Sequence, residues 1–172
     1  DAVKAKTLFE EALGHARRSR AAQEKVLSMK PENPLYQRNV AGGKLNEGKI
    51  YRELGDIDSA LRLAREALAV HLVIAQNDPN NQEIKLDLKE AYEDIAYAFV
   101  KRGELKNAEI NFQKSVELNE ELIKKDPENY DFWLARLRGE QYFGRALEDA
   151  GNVAMAREYF QKALRLADNR AP

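Results

Sequence analysis

The feature that most constrains this chain is a period. Gly55, Gly103 and Gly151 stand 48 residues apart, and Ala60, Ala108 and Ala156 keep the same interval. So do Pro31, Pro79 and Pro127, then Asn33, Asn81 and Asn129, and the small residues Ala67, Ser115 and Ala163. A fixed interval of this size marks a stacked array of supersecondary units, each burying its apolar face only against its neighbours.

Each unit reads as a helical hairpin. At Lys30-Pro31-Glu32-Asn33-Pro34 a helix must stop, because proline lacks an N–H and its ring clashes with the preceding turn. Asn33 can cap the next helix by accepting a free first-turn amide, and Pro34 then falls at the first helical position, where its fixed φ is suited. The same punctuation recurs at Asp78-Pro79-Asn80-Asn81 and Asp126-Pro127-Glu128-Asn129. Helices are expected over 34–54 and 56–77, 82–102 and 104–125, then 130–150 and 152–168. Gly55 and its equivalents would supply the left-handed position that ends each first helix. Gly43 and Gly48, inside the first of these, each cost about 1 kcal/mol relative to alanine. Their equivalents are Ala91 and Ala96, then Gly139 and Gly144, so close helix approach is expected to offset that cost. Residues 1–33 read as a partial unit that keeps only its second helix. Thr7 stands there in place of the turn glycine, which predicts a helix without a break. That makes seven helices in one array, with units at 1–33, 34–81, 82–129 and 130–172.

The residues between these landmarks carry a resemblance. Gly48-x2-Tyr51, Gly55, Ala60-x3-Ala64 and Ala67 form the first copy. Tyr92-x2-Ile95-Ala96-x2-Phe99, Gly103, Ala108-x3-Phe112 and Ser115 form the second. Phe143-Gly144-x2-Leu147, Gly151, Ala156-x3-Phe160 and Ala163 form the third. Together they resemble the tetratricopeptide repeat, whose pattern runs L-G-x2-Y…A-x3-F…P. The resemblance implies an all-α fold, a right-handed α-α superhelix of hairpins, and a protein- or peptide-binding scaffold. The family repeat is 34 residues long, whereas this one is 48. About seven extra residues in each helix would return the chain to nearly the same face, because a heptad drifts by only ~20°. The long period and DPxN-type turns also resemble arrays attached to some bacterial serine/threonine kinases and signalling proteins.

Composition agrees with a folded helical protein: 44% of the residues are hydrophobic and 33% charged. A net charge of −1 provides no field to hold nucleic acid or an anionic membrane surface. The chain has no cysteine, so disulfides and thiolate metal sites are excluded and either side of a bacterial membrane is compatible. No run is apolar enough to span a bilayer and no signal peptide opens the sequence. The start at Asp1, inside a repeat, suggests a piece of a longer protein.

Catalytic groups are sparse. His15 and His71 have no ligand partner at helical spacing, and there is no H-E-x-x-H, nucleophile elbow or phosphate-binding glycine loop. Ser115 takes a small-residue packing position. Adjacent acids such as Glu10-Glu11 and Glu120-Glu121 read as solvated faces, because neighbours on a helix point apart. Glu93-Asp94 falls nearer the inner surface. Trp133, the lone tryptophan, is either a half-buried plug or a contact residue. The expectation is a protein with no enzymatic role, no cofactor and no metal.

In the family the first helix of each pair lines the concave side. Stepping by three or four gives Leu45, Lys49 and Arg52, then Glu90, Glu93, Tyr97 and Val100, then Arg138, Gln141, Tyr142, Arg145 and Glu148. The partner-binding candidates are Lys49, Arg52, Glu93, Tyr97, Arg138, Gln141, Tyr142 and Arg145. Leu45 and Glu93 stand where the family's carboxylate clamp wants basic or amide groups, so a chaperone C-terminal tail fits poorly. A segment of mixed charge anchored by the tyrosines fits better; the alternative is an ordinary solvated groove. The final helix carries Val153, Ala156, Tyr159, Phe160, Ala163 and Leu164, which predicts weak homo-oligomerisation through an open apolar face. A self-association or regulatory module of a signalling enzyme, such as a serine/threonine kinase, is the competing function.

Overall fold

The computed structural model describes residues 2–168. Seven helices follow one another, α1 Ala2–Met29, α2 Pro34–Glu53, α3 Ile57–Asn77, α4 Gln82–Arg102, α5 Leu105–Lys125, α6 Tyr130–Asp149 and α7 Val153–Asp168. No strand occurs among the described residues. The expected helices are all present, and their ends differ from the sequence reading by a residue at most. α1 runs without a break, and the Thr7 hydroxyl donates within it to the Val3 carbonyl at 3.1 Å.

Local chemistry accounts for the boundaries. Asn33 accepts from the Leu35 amide at 3.0 Å, Asn81 from Glu83 at 3.1 Å, and Asn129 from Asp131 at 3.1 Å. Each such cap is worth about 1 kcal/mol. At the other end Gly55, Gly103 and Gly151 have φ of +85°, +80° and +82°. The reversal lets the next amide reach back to the last turn: Asp56 to the Tyr51 carbonyl (2.9 Å), Glu104 to Phe99 (3.0 Å) and Asn152 to Leu147 (2.8 Å). Carbonyls that the ending helix would leave without partners are thereby satisfied.

Consecutive helices pack as hairpins, α2 with α3, α4 with α5 and α6 with α7, and α1 packs on α2. The first helices also approach one another closely, α2 with α4 and α4 with α6. The backbones of α3, α5 and α7 lie further apart, and α5 meets α7 through side chains, Phe112 against Tyr159 and Tyr159 donating to Glu109. The array is therefore an all-α solenoid with α2, α4 and α6 on its tighter side. One core runs through it from Ala41 to Tyr159. At its centre the Phe112 and Phe143 rings stack 4.2 Å apart and nearly parallel, and Tyr159 meets both edge-on at 5.5 and 4.7 Å. Small residues set the spacing within each hairpin. A Cβ on Gly48 would lie 3.4 Å from the Ala60 carbonyl oxygen; on Gly144 it would lie 2.9 Å from the Phe160 ring.

Three polar residues recur at the same interval on the second helices: Gln23, half-buried with its Oε1 enclosed, and the fully buried His71 and Asn119. Asn119 is fully enclosed, and its side-chain amide donates to the Phe132 carbonyl of α6 at 2.9 Å. His71 is equally enclosed, with Asp87 of α4 3.9 Å from Nε2. Burial pushes its pKa down against the pull of Asp87, so the imidazole stays neutral.

Candidate functional site

The tighter side is built from α2, α4 and α6, and most of its charged groups already hold each other. Lys49 on α2 bonds Glu90 on α4 and lies 3.7 Å from Asp94. Arg52 bonds Asp94 at 3.1 Å and places its guanidinium over the Tyr97 ring, 5.3 Å from the centroid. Within α4, Lys89 bonds Glu93 at 2.9 Å. This network ties the first helix of one hairpin to that of the next, with the acids on α4 and the cations mostly on α2.

The two partners in the Lys49–Asp94 contact respond differently because they are differently buried. Lys49 keeps some solvent; burial opposes its charge, but Asp94 and Glu90 more than offset that and raise its pKa. Asp94 is enclosed, and loss of water outweighs Lys49 and Arg52, so its carboxyl is pushed up to about 6. Burial also raises the pKa of Glu93, against Lys89. Tyr97 is raised by burial, with the charges of Glu93 and Asp94 adding to the effect.

The eight sequence candidates therefore divide. Lys49, Arg52, Glu93 and Tyr97 are joined into the α2–α4 junction and only partly reach solvent. Arg138, Gln141, Tyr142 and Arg145 are exposed on α6, at intervals that put them on one stripe. Tyr142 is 57% accessible. Leu45 and Val100, which the stepping rule assigned to the lining, are instead buried in the core at 2% and 1% exposure. Helix rotation turns both inward, where their apolar side chains join Ile95 and Phe99. Trp133 donates from Nε1 to the Pro127 carbonyl at 2.9 Å, bracing the turn before α6. The recurring polar set Gln23, His71 and Asn119 does not stand out beside the repeated glycines, prolines and capping asparagines, because its three members share no residue type. Carrying the 48-residue register through every position would have found it.

Among the described residues no cluster of His, Cys, Asp or Glu could hold a metal ion, and no helix is long and apolar enough to cross a membrane. At the far end, α7 turns Ala156, Tyr159 and Ala163 into the core. Val153, Phe160 and Leu164 remain outside along a shallow depression of about 350 Å³.

Stacked helical hairpins with glycine-closed turns define a helical-repeat protein. Family models described as tetratricopeptide repeat match residues 46–78, 89–122 and 143–170, more than half of the sequence, and the chain belongs to that family. The matched segments each span a glycine turn, and in the second unit they leave out 82–88 and 123–129, the parts furthest from it. The fold is similar to the crystal structure of BtubC (BKLC) from P. vanneervenii, at 18% identity and a TM-score of 0.52. That match covers 94% of this chain and 58% of BtubC, so the chain spans little more than half of that protein's length. MamA (41-end) from Desulfovibrio magneticus RS-1 matches at 18% identity with a TM-score of 0.32, over 91% of this chain and 97% of its own. No curated protein matches the sequence. Repeats of this family serve protein interaction, which makes the chain a protein-interaction scaffold in general terms.

Proposed function

We propose that this scaffold engages a protein segment through α6, with Arg138, Gln141, Tyr142 and Arg145 as the contact stripe. The observation that carries the reading is the imbalance between neighbouring inner helices. On α2 the cations Lys49 and Arg52 are committed to acids on α4. On α6, Arg138 and Arg145 flank an exposed tyrosine with no acid bonded to either. Two uncommitted guanidinium groups about 10 Å apart along a helix favour an acidic partner segment. Tyr142 between them provides the amphipathic anchor typical of interface centres. Tyr97, half-buried beneath Arg52, contributes rigidity to the face and not direct contact.

The test is photo-crosslinking in the native proteome. A photoreactive residue at Gln141 should capture a partner that the same group at Ile110, on the second helix α5, does not. Arg138→Glu with Arg145→Glu should abolish that adduct. Capture from both positions, or adducts unchanged by the charge reversal, would overturn the reading.

Self-association is the second reading, favoured by the exposed apolar side chains of α7. Val153 and Leu164 are 63% and 62% accessible. Here a weak dimer buries α7 against a second copy. Light scattering over a concentration series should show its mass rising for the wild type and fixed at one copy for Leu164→Glu. A wild type that stays monomeric throughout excludes it. Membership of a larger bacterial signalling protein fits both readings; the full-length gene product decides it.

A further inference from the structure

The two seams at the proline ends of the hairpins are built on one plan but finished differently. In the seam around α4, α5 and α6, Lys85 bonds Glu121 across the helices, and Lys125 donates to the Asn80 carbonyl at 3.1 Å. These bonds stitch the helix ends together. Forty-eight residues earlier the corresponding positions are Gln37, Val73 and Asn77, none of them charged. Gln37 turns back to the Pro31 carbonyl at 2.7 Å instead of reaching α3, and the bridge on this seam is Arg38, which runs from α2 to Glu83 and Asp87 on α4. A cleft of about 440 Å³ remains open between the ends of α2, α3 and α4.

The cleft has a defined chemistry. Its floor is Ile74 and Ile84, which with Leu88 form a small core of their own. Leu35 and Val73 rise from it at 54% and 56% exposure. The rim carries Glu32, Asp78 and Glu83. Arg38, the one cation among the described residues lining it, is already bonded to Glu83 and Asp87. An apolar floor under an acidic rim, with its cation spent, is complementary to an apolar side chain flanked by positive charge. The volume falls within the range of sites that hold small groups in folded proteins, roughly 300–1,000 Å³.

We propose that this cleft docks a partner-protein segment presenting a leucine-sized side chain between lysines or arginines. It lies at the helix ends, apart from the α6 stripe, and takes the opposite charge. The two surfaces therefore stand or fall separately.

The experiment is amide chemical-shift mapping on the whole chain with three capped tripeptides: Arg-Leu-Arg, Arg-Ser-Arg and Glu-Leu-Glu. Arg-Leu-Arg should shift amides at Leu35, Val73, Asn77 and Glu83 at millimolar concentration, and the other two should leave them in place. The variant Gln37→Lys/Val73→Glu/Asn77→Lys imports the stitching residues of the other seam and should abolish the shifts. Should it fail to fold, Val73→Glu alone, at an exposed position, should do the same. Equal shifts with Arg-Ser-Arg would reduce the effect to charge attraction and overturn the proposal. So would shifts scattered over the surface, no shifts at all, or shifts that survive the closing substitutions.

Discussion

Asn119 shows what a single enclosed side chain does in this array. Its amide reaches from α5 to the Phe132 carbonyl, so the bond joins one hairpin to the next. Asn119→Ala should cost about 1–3 kcal/mol, because it removes a buried hydrogen bond between hairpins and leaves a cavity in its place. Asn77→Ala, on the exposed side of α3, should change stability by less than about 0.5 kcal/mol. Urea unfolding of both measures the difference; equal effects would remove the bond from any role in cohesion. Asp94 makes a prediction of the opposite electrical kind. Its folded pKa of about 6 lies above the unsupported 3.8, so the folded state holds that proton more tightly. Its contribution therefore favours folding as the pH falls through about 6 and opposes it above. Relative to Asp94→Asn, the wild type should gain stability between neutral pH and about 4. A constant difference would mean that Lys49 and Arg52 hold the carboxylate charged throughout.

At the scale of elements, backbone cost and side-chain spacing separate cleanly. Gly42 lies inside α2, and a Cβ there would meet nothing within 4 Å. Gly42→Ala should stabilise by about 0.5–1 kcal/mol. Ala108 is completely enclosed at the start of α5, so Ala108→Leu should overpack the hairpin and cost about 1–3 kcal/mol. Thermal melts of the pair test the two signs. The elements were legible in the sequence because their ends are local: Asn33, Pro34 and Gly55 act on the turns they occupy. The inner face was legible only in part. Lys49, Arg52, Glu93 and Tyr97 were placed on the right helices, but whether they meet solvent depends on the neighbouring hairpin. Leu45 and Val100 failed for the same reason, since a step of three or four residues fixes a stripe without fixing which way it is rotated. The open seam needed both units compared, and its signal was the absence of charge at Gln37, Val73 and Asn77.

For the whole molecule, cohesion is passed from neighbour to neighbour, so the middle and the ends should differ. α4 supplies ten buried residues, whereas among the described residues of α1 only Leu13 is buried. Hydrogen exchange should therefore protect α4 and α5 longest and α1 least. Uniform protection from α1 to α7 would show a single all-or-none unit instead. The arrangement of contacts has a mechanical consequence. The first helices approach backbone to backbone in succession, whereas α3, α5 and α7 do not, and α5 reaches α7 only through the side chains of Phe112, Glu109 and Tyr159. The side with α2, α4 and α6 therefore behaves as a hinge line and the other as a looser fan. Small rotations can splay or furl the fan most easily between α3 and α5, while between α5 and α7 the Phe112–Tyr159 contact limits them. Tension along the superhelix axis would then be met by bending before unfolding, which gives the molecule the compliance of a leaf spring.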